Sequence, residues 1–407
     1  MKLGKRKLIA IVIISVFAAS ILSGGVWFLV RQKYPKIINS LPDPFLLNNG
    51  TRVSTQQEWE IRRNEIKDLL QSIEYGTIPG RPDAILATEA NSEILENGTK
   101  KTVVLSITPF NSTPSVVFNM TIWVYTPNIA GPLPVVVKVS PDGTGTQTPI
   151  SKIILDRGYM YVCYSHTDLD LDTKGYDVVG PAQEAYSTYT WGSLGVWAWG
   201  GSRVVDYLIG EPWVDAPAGI PDADPTKIII TGHSRRGKTA LLAGAMDDRF
   251  AMVVPNGSGC GGTGSFLVQG AISETIRMIT SPKLYKSWFK EDFNQFSRKE
   301  KDLTFDQHFL CALVAPRVLM STSGLQDYWA NPSGTQTIYK ATSIVYEFLG
   351  ALEKLGNHYR KGKHAFKEED FGVLLDFADL HLMGKNITGD FYMTPYNYES
   401  PIEFTAP

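Results

Sequence analysis

Ser234, Asp327 and His364 are the residues of this 407-residue chain whose types and order best fit a single piece of chemistry. Ser234 lies in Gly232-His233-Ser234-Arg235-Arg236-Gly237-Lys238, between an apolar run, 227–230, and a run of helical character, 239–246. A strand that feeds a helix through a glycine-flanked serine lifts the hydroxyl clear of the sheet as a nucleophile. Glycine is needed on both sides because a side chain there would strike the neighbouring strand or helix. The usual spacing is G-x-S-x-G, and here one extra residue precedes the second glycine. A serine in this place also caps helices, so the turn alone decides little. The order Ser, Asp, His along the chain is what raises it.

Serine is a poor nucleophile unless a histidine takes its proton and a carboxylate holds that histidine. Of six histidines, His364 sits in Lys361-Gly362-Lys363-His364-Ala365-Phe366, a loop expected between a helix ending near 355 and another starting near 371. His381 reads as a helix-end cation, His358 as part of a basic, solvated loop, and His166 as a residue after a strand that could line a pocket. Asp327 follows an expected strand, 318–322, through a short loop, at the carboxyl end of a strand read as adjacent to the serine strand. Its plain alternative is a turn-capping Asp before Asn331-Pro332. The rival acid, Asp306, reads as the start of a helix. Lys238, one helical turn beyond Ser234, shares its face and suits a negatively charged or hydroxyl-rich substrate. The Arg235 backbone N–H is placed as an oxyanion donor, a contribution of about 3 kcal/mol; its guanidinium either adds to this or holds the loop by an ion pair. Trp329 either stacks on a sugar ring or packs.

These residues need a scaffold. The pattern predicts a helix over 56–73, then strands at 102–107, 116–125, 133–139 and 159–164, and a helix over 191–209. Strands at 228–231, 251–254 and 318–322 follow, with helices over 335–354 and 371–382. Nearly all-apolar strands alternating with helices predict an α/β fold: a mostly parallel sheet covered on both faces, with an antiparallel N-terminal extension. One catalytic domain, 51–407, fits better than two.

A net charge of −2 offers no basic field, which excludes nucleic acid as a partner. Cys163, Cys260 and Cys311 read as small buried side chains rather than redox or metal groups. The N-terminus differs from the rest. A basic stub, 1–7, precedes an uncharged run, 8–30, long enough to cross a bilayer, and a Pro-punctuated linker, 31–50, follows. Sequons at Asn49, Asn97, Asn111, Asn119, Asn256 and Asn386 favour export of the remainder. The expectation is a monomer anchored by a transmembrane helix with its catalytic domain outside the cytoplasm. Cleavage near Ala18-Ala19-Ser20 or Ser23-Gly24 would instead give a secreted product.

Over most of 56–385 the chain resembles the glucuronoyl esterase family of α/β-hydrolases, including its bacterial-type members. The resemblance rests on Trp59-Glu60-Ile61-Arg62-Arg63, Tyr75-Gly76, Trp197-Ala198-Trp199-Gly200, 231–248 and Ser258-Gly259-Cys260-Gly261-Gly262. It continues in Phe305-Asp306-Gln307-His308, Ala315-Pro316-Arg317 and Lys363-His364-Ala365-Phe366. It implies the α/β-hydrolase fold and hydrolysis of the ester between 4-O-methyl-glucuronic acid on xylan and lignin alcohols, through an acyl-enzyme, without metal or cofactor. It further implies Ser234 as nucleophile, His364 as base, Arg235 as oxyanion-hole residue, Lys238 as a binder of uronate hydroxyls and Trp329 as the substrate-facing tryptophan. Many members carry the triad carboxylate just after the strand that follows the serine helix. Here that stretch reads Pro255-Asn256-Gly257-Ser258, so the acid falls to Asp327, as at the alternative site of other members. His233 stands where fungal members have a half-cystine, and Glu274 is the nearest match to their sugar-binding glutamate. An esterase for acetyl or other sugar esters, and a catalytically silent binding module on a membrane anchor, are the competing readings.

Overall fold

β-Branched residues facing alternately up and down build the centre of the molecule. In the computed structural model, which describes residues 34–110, 116–140, 148–173, 179–285 and 287–407, β5 (Leu133–Ser140) sends Val135, Val137 and Val139 into one buried cluster and Val136 into another. β8 (Ala223–His233) divides Ile228 and Ile230 from Ile229 in the same way. Both faces of these strands are therefore covered, as a parallel sheet requires.

The other strands are β2 (Ala84–Leu95), β3 (Gly98–Thr108), β4 (Phe118–Pro127), β6 (Met160–Ser165), β7 (Val214–Asp215), β9 (Met252–Asn256), β11 (Val318–Gly324) and β12 (Leu355–Arg360). Together they form a ten-stranded sheet in the order β12-β11-β9-β8-β5-β6-β4-β3-β2-β7. From β12 to β6 every pairing is parallel, and β6-β4-β3-β2 is antiparallel. The sheet is thus mixed, with the expected antiparallel extension at its N-terminal side. On one face lie α1 (Gln56–Leu70), α3 (Ser193–Ile209), α4 (Arg235–Met246) and α5 (Pro332–Phe348), and on the other α2 (Pro149–Asp156) and α6 (Glu368–His381). α1 starts at a capping box in which Thr55 and Glu58 satisfy each other's backbone donors.

Three readings need correction. The stretch 355–360, taken as the end of a helix and a solvated loop around His358, is strand β12. Its polar Asn357 is fully buried because a distant C-terminal segment covers it: Asn357 donates to the Phe391 carbonyl at 2.6 Å and accepts from the Met393 N–H at 2.8 Å. No local pattern reveals such a pairing. The stretch 31–50 is not a free linker from Lys36 on. β1 (Lys36–Ile37) pairs with β10 (Val268–Gln269), and Leu41, Phe45 and Leu47 are buried. Finally, β11 is not adjacent to β8; β9 lies between them.

The apolar run 8–30 and the basic stub 1–7 fall outside the described residues. Among the described residues no helix is long and apolar enough to cross a membrane. The three cysteines are free and buried. Asn256 is fully buried in β9, so its sequon is unavailable in the folded chain, whereas Asn49, Asn119 and Asn386 are exposed. Asn111 is outside the described residues.

Candidate active site

The loops that leave β6, β8, β9, β11 and β12 all emerge at the carboxyl edge of the parallel strands, where open α/β sheets gather ligands. Ser234 sits between β8 and α4 with φ 60° and ψ −125°, a strained conformation for a residue with a side chain. The turn is held by the Ser234 N–H on the Asn256 carbonyl at 2.9 Å. Both flanking glycines are required. A Cβ on Gly232 would lie 2.2 Å from the Arg236 carbonyl oxygen, and one on Gly237 would lie 2.8 Å from that of Asn256.

His364 Nδ1 and Asp327 Oδ2 are 2.7 Å apart, and the Asp327 side chain is only 2% exposed. The two loops are stitched together. Gln326 N–H donates to the Gly362 carbonyl at 2.9 Å, and Gly362 N–H returns a bond to the Gln326 side chain. Gly324 permits this approach, since a Cβ there would meet the Gly362 oxygen at 2.5 Å. Arg360, buried at the end of β12, spans the His364 loop from within. Its guanidinium donates to the carbonyls of Lys361, Lys363 and Ala365, while its Nε donates to Asp370 at 2.8 Å.

The His364 ring packs against His233, the residue before the serine, with centroids 4.4 Å apart. His233 also faces Phe366, and its Nδ1–H donates to Asn256 Oδ1 across 2.6 Å. Burial, reinforced by the neighbouring His364, pushes the His233 imidazole down to about 4, so it stays neutral. The Ser234 hydroxyl makes no hydrogen bond among the described residues. Free enzymes commonly hold this last contact open until substrate tightens it.

Gly257 explains how an acid on β11 reaches past β9. A Cβ at Gly257 would lie 3.1 Å from Asp327 Oδ2 and 3.5 Å from His364 Cε1. The space that a side chain would fill after β9 is therefore the space through which Asp327 meets His364. Asp306 is elsewhere. It is fully buried and accepts from Ser265 Oγ and the N–H groups of Phe266, Leu267 and Gln307, which orders that loop.

Arg235 is the first residue of α4, where backbone N–H groups have no partner inside the helix. Its guanidinium pairs with Asp172 at 2.8 Å and lies over the rings of Trp288 and Tyr285, 4.8 and 5.3 Å from their centroids. Arg236 reaches the other Asp172 oxygen at 3.1 Å. Burial opposes ionisation of Asp172, but His166, Arg235 and Arg236 outweigh it and hold the carboxyl at about 2. Of these, His166 is the weakest partner, 3.7 Å away and itself fully buried. Asp172 was not singled out in the sequence, although Asp168-Leu169-Asp170-Leu171-Asp172 at the end of an expected strand, in a chain with adjacent arginines, was a usable signal.

Lys238, Glu274 and Trp329 converge. Lys238 is 1% exposed; its ammonium pairs with Glu274 Oε2 at 2.8 Å and also donates to the Ser258 carbonyl. Glu274 Oε1 accepts from Trp329 Nε1 at 2.8 Å, and the Glu274 N–H donates to the Trp329 carbonyl. Trp329 is 40% exposed, so the chain of contacts runs from the buried lysine out to an open indole.

A serine turn, an acid-held histidine and an arginine at a helix start, on the carboxyl edge of such a sheet, are the equipment of a carboxylic ester hydrolase. Residues 107–350 match the family model described as "Glucuronyl esterase, fungi". A 4-O-methyl-glucuronoyl methylesterase from Podospora anserina is 30% identical over 331 residues, covering 79% of this chain and 62% of its own length. A carbohydrate esterase from an unknown prokaryotic organism is 29% identical, with 85% and 90% covered. The structure of a carbohydrate esterase family 15 glucuronoyl esterase from Caldicellulosiruptor kristjansonii superposes with a TM-score of 0.76 at 31% identity, over 91% of this chain and 97% of that one. The chain belongs to the glucuronoyl esterase family.

Proposed function

We propose that this α/β-hydrolase cleaves glucuronoyl esters, releasing an alcohol from the carboxyl of a 4-O-methyl-glucuronate or closely related uronate. The observation that carries the reading is the 2.7 Å contact of His364 Nδ1 with buried Asp327, beside the strained Ser234 turn. His364 takes the Ser234 proton through Nε2 as Oγ attacks the ester carbonyl, and Asp327 stabilises the imidazolium. The oxyanion accepts from the Arg235 N–H at the start of α4. Collapse expels the alcohol oxygen, which receives the proton from His364. Water, deprotonated by the same imidazole, then hydrolyses the acyl-serine and frees the uronate and Ser234.

The sugar lies beside Trp329 and Glu274. Two of the three Lys238 donors are engaged, which leaves one for a ring hydroxyl. The catalytic domain begins near residue 34 rather than 51, since 36–47 pack on it. The stub 1–7 and the span 8–30 anchor it to a membrane with the enzyme outside the cytoplasm. Turnover of benzyl glucuronate against an aryl acetate tests the reading, with Ser234→Ala and His364→Ala as controls. Each substitution should abolish nearly all hydrolysis to a similar extent, because the residues act as a unit. Substantial activity in the serine variant, or turnover of the acetate alone, refutes it.

A further inference from the structure

A second cleft, of about 480 Å³, lies between the end of α1, the loop 78–81, α3 and the end of α4. That volume is within the usual range of about 300–1,000 Å³ for small-molecule sites. It is separate from the catalytic loops. Met246, the last residue of α4, lines it, and at about 1.5 Å per residue the helix puts it roughly 18 Å from Ser234.

Its lining is aromatic and charged, with four cations against the three carboxylates of Asp206, Glu211 and Asp247. Lys67, Arg81, Arg203 and Arg249 meet there with Trp199 and Trp213. Arg249 is saturated, with Asp206, Glu211 and Asp247 at 2.7–3.0 Å. The other three are not. Arg203 is 4% exposed and lies 4.5 Å over Trp199, with its Nε on Asp206; its Nη1 has no hydrogen-bond partner among the described residues. Arg81 lies 4.8 Å over Trp213 and forms no ion pair among the described residues. The carboxylate nearest Lys67, that of Asp248, is 4.0 Å away.

A buried guanidinium N–H without an acceptor is costly, and the acceptor that best fits its fork is a carboxylate. The half-buried Trp213 indole and the polar side chains of Gln71 and Ser202 in the same lining suit a sugar ring. We propose that this cleft binds the free carboxylate of a uronic acid on a saccharide, a second site distinct from the catalytic one. Ester hydrolysis creates this charge: the substrate is neutral at its carboxyl and the product is anionic. The cleft therefore selects chains that already bear unesterified uronates, and holds the enzyme beside the remaining esters. The choice of sugar rests on the glucuronoyl reading, whereas the choice of charge rests on the cleft alone.

Calorimetric titration of the full chain tests the proposal, with three probes: a free-acid aldouronic oligosaccharide, a neutral xylo-oligosaccharide of equal length, and inorganic sulfate. The parent should bind the acidic probe at two sites. Arg81→Ala/Lys67→Gln should weaken one of them about tenfold or more, yet leave kcat/KM on benzyl glucuronate unchanged. Identical isotherms for parent and variant overturn the proposal. So does equal binding of the neutral probe, or sulfate binding at the cleft as tightly as the saccharide. Failure of the parent to turn over benzyl glucuronate would refute the catalytic reading and leave the titration to decide on the cleft.

Discussion

Replacing Lys238 by methionine separates its observed part in a buried ion pair from its proposed part as a donor to the sugar. The lysine is 1% exposed and its partner Glu274 has a side chain 6% exposed, so solvent screens neither charge. Removing one partner of a buried pair leaves an uncompensated charge and costs about 3–5 kcal/mol. With an unfolding entropy of about 2.1 cal/mol/K per residue over roughly 350 ordered residues, the melting temperature should fall by about 4–7 °C. Catalysis should respond differently. A charged donor lost from a sugar hydroxyl corresponds to about 1.5–3 kcal/mol, or roughly 10- to 150-fold in kcat/KM on benzyl glucuronate, while an aryl acetate is unaffected. Lys238→Met/Glu274→Leu should restore most of the stability, because apolar replacement of a whole buried pair is often neutral. It should not restore the sugar ester activity. Scanning calorimetry and the two substrates read these outcomes independently. A Lys238→Met enzyme as stable as its parent would refute the buried-pair argument. Equal losses on both substrates would show that the lysine supports the serine turn and not the sugar.

Asp327→Asn should lower kcat about 10⁴-fold by leaving His364 in the wrong tautomer, as in other triads. Asp306→Asn should instead cost about 2–3 kcal/mol of stability with kcat retained; steady-state kinetics and melts that came out reversed would reassign the acid. Asp172→Asn should lower kcat about 10- to 100-fold by freeing Arg235, and its effect should not add to that of Arg235→Ala, whereas additive losses would show that it acts elsewhere. His308, buried and donating to the Pro42 carbonyl at 2.9 Å, is pushed down to about 4 by that burial. It is neutral when folded and gains a proton on unfolding below about pH 6.5, so its contribution is intact above 6.5 and lost as the pH falls towards 4. Buried Glu74, raised to about 8, and Asp170, raised to about 7, act in the opposite sense. The readout is therefore parent minus His308→Gln, which should shrink by about 3 kcal/mol between pH 7 and 4; a pH-independent difference refutes the assignment.

The parallel half of the sheet was legible because its strands are short apolar runs between glycine- or proline-marked turns, and the serine turn because its glycines are sterically obligatory. β12 was not, since its buried Asn357 is made tolerable by residues more than thirty positions away. Ser234, Asp327 and His364 could be chosen by order alone. What fixes them could not: Arg360 reads as one more charge in a basic loop, and its work on three carbonyls appears only once the loop is folded around it. Lys238 was legible by helical spacing as a neighbour of Ser234, but spacing says nothing of depth, and its burial against Glu274 comes from a loop far along the chain.

The segment over Asn357 has a consequence for how the chain is made. Residues 391–393 follow every strand of the sheet, so during synthesis from the N-terminus β12 stays an open edge until the final stretch emerges. Open edges recruit strands from other molecules. At the opposite border β7 covers only Ile85 and Leu86, and among the described residues the rest of β2 keeps an edge there in the folded chain as well. His364 follows the end of β12 by four residues, so docking of the tail covers the strand that leads to it and closes the edge to aggregation in one late event. A chain cut before residue 391 would lack both protections, and one delivered unfolded through a membrane would be most vulnerable in the interval before its last residues arrive.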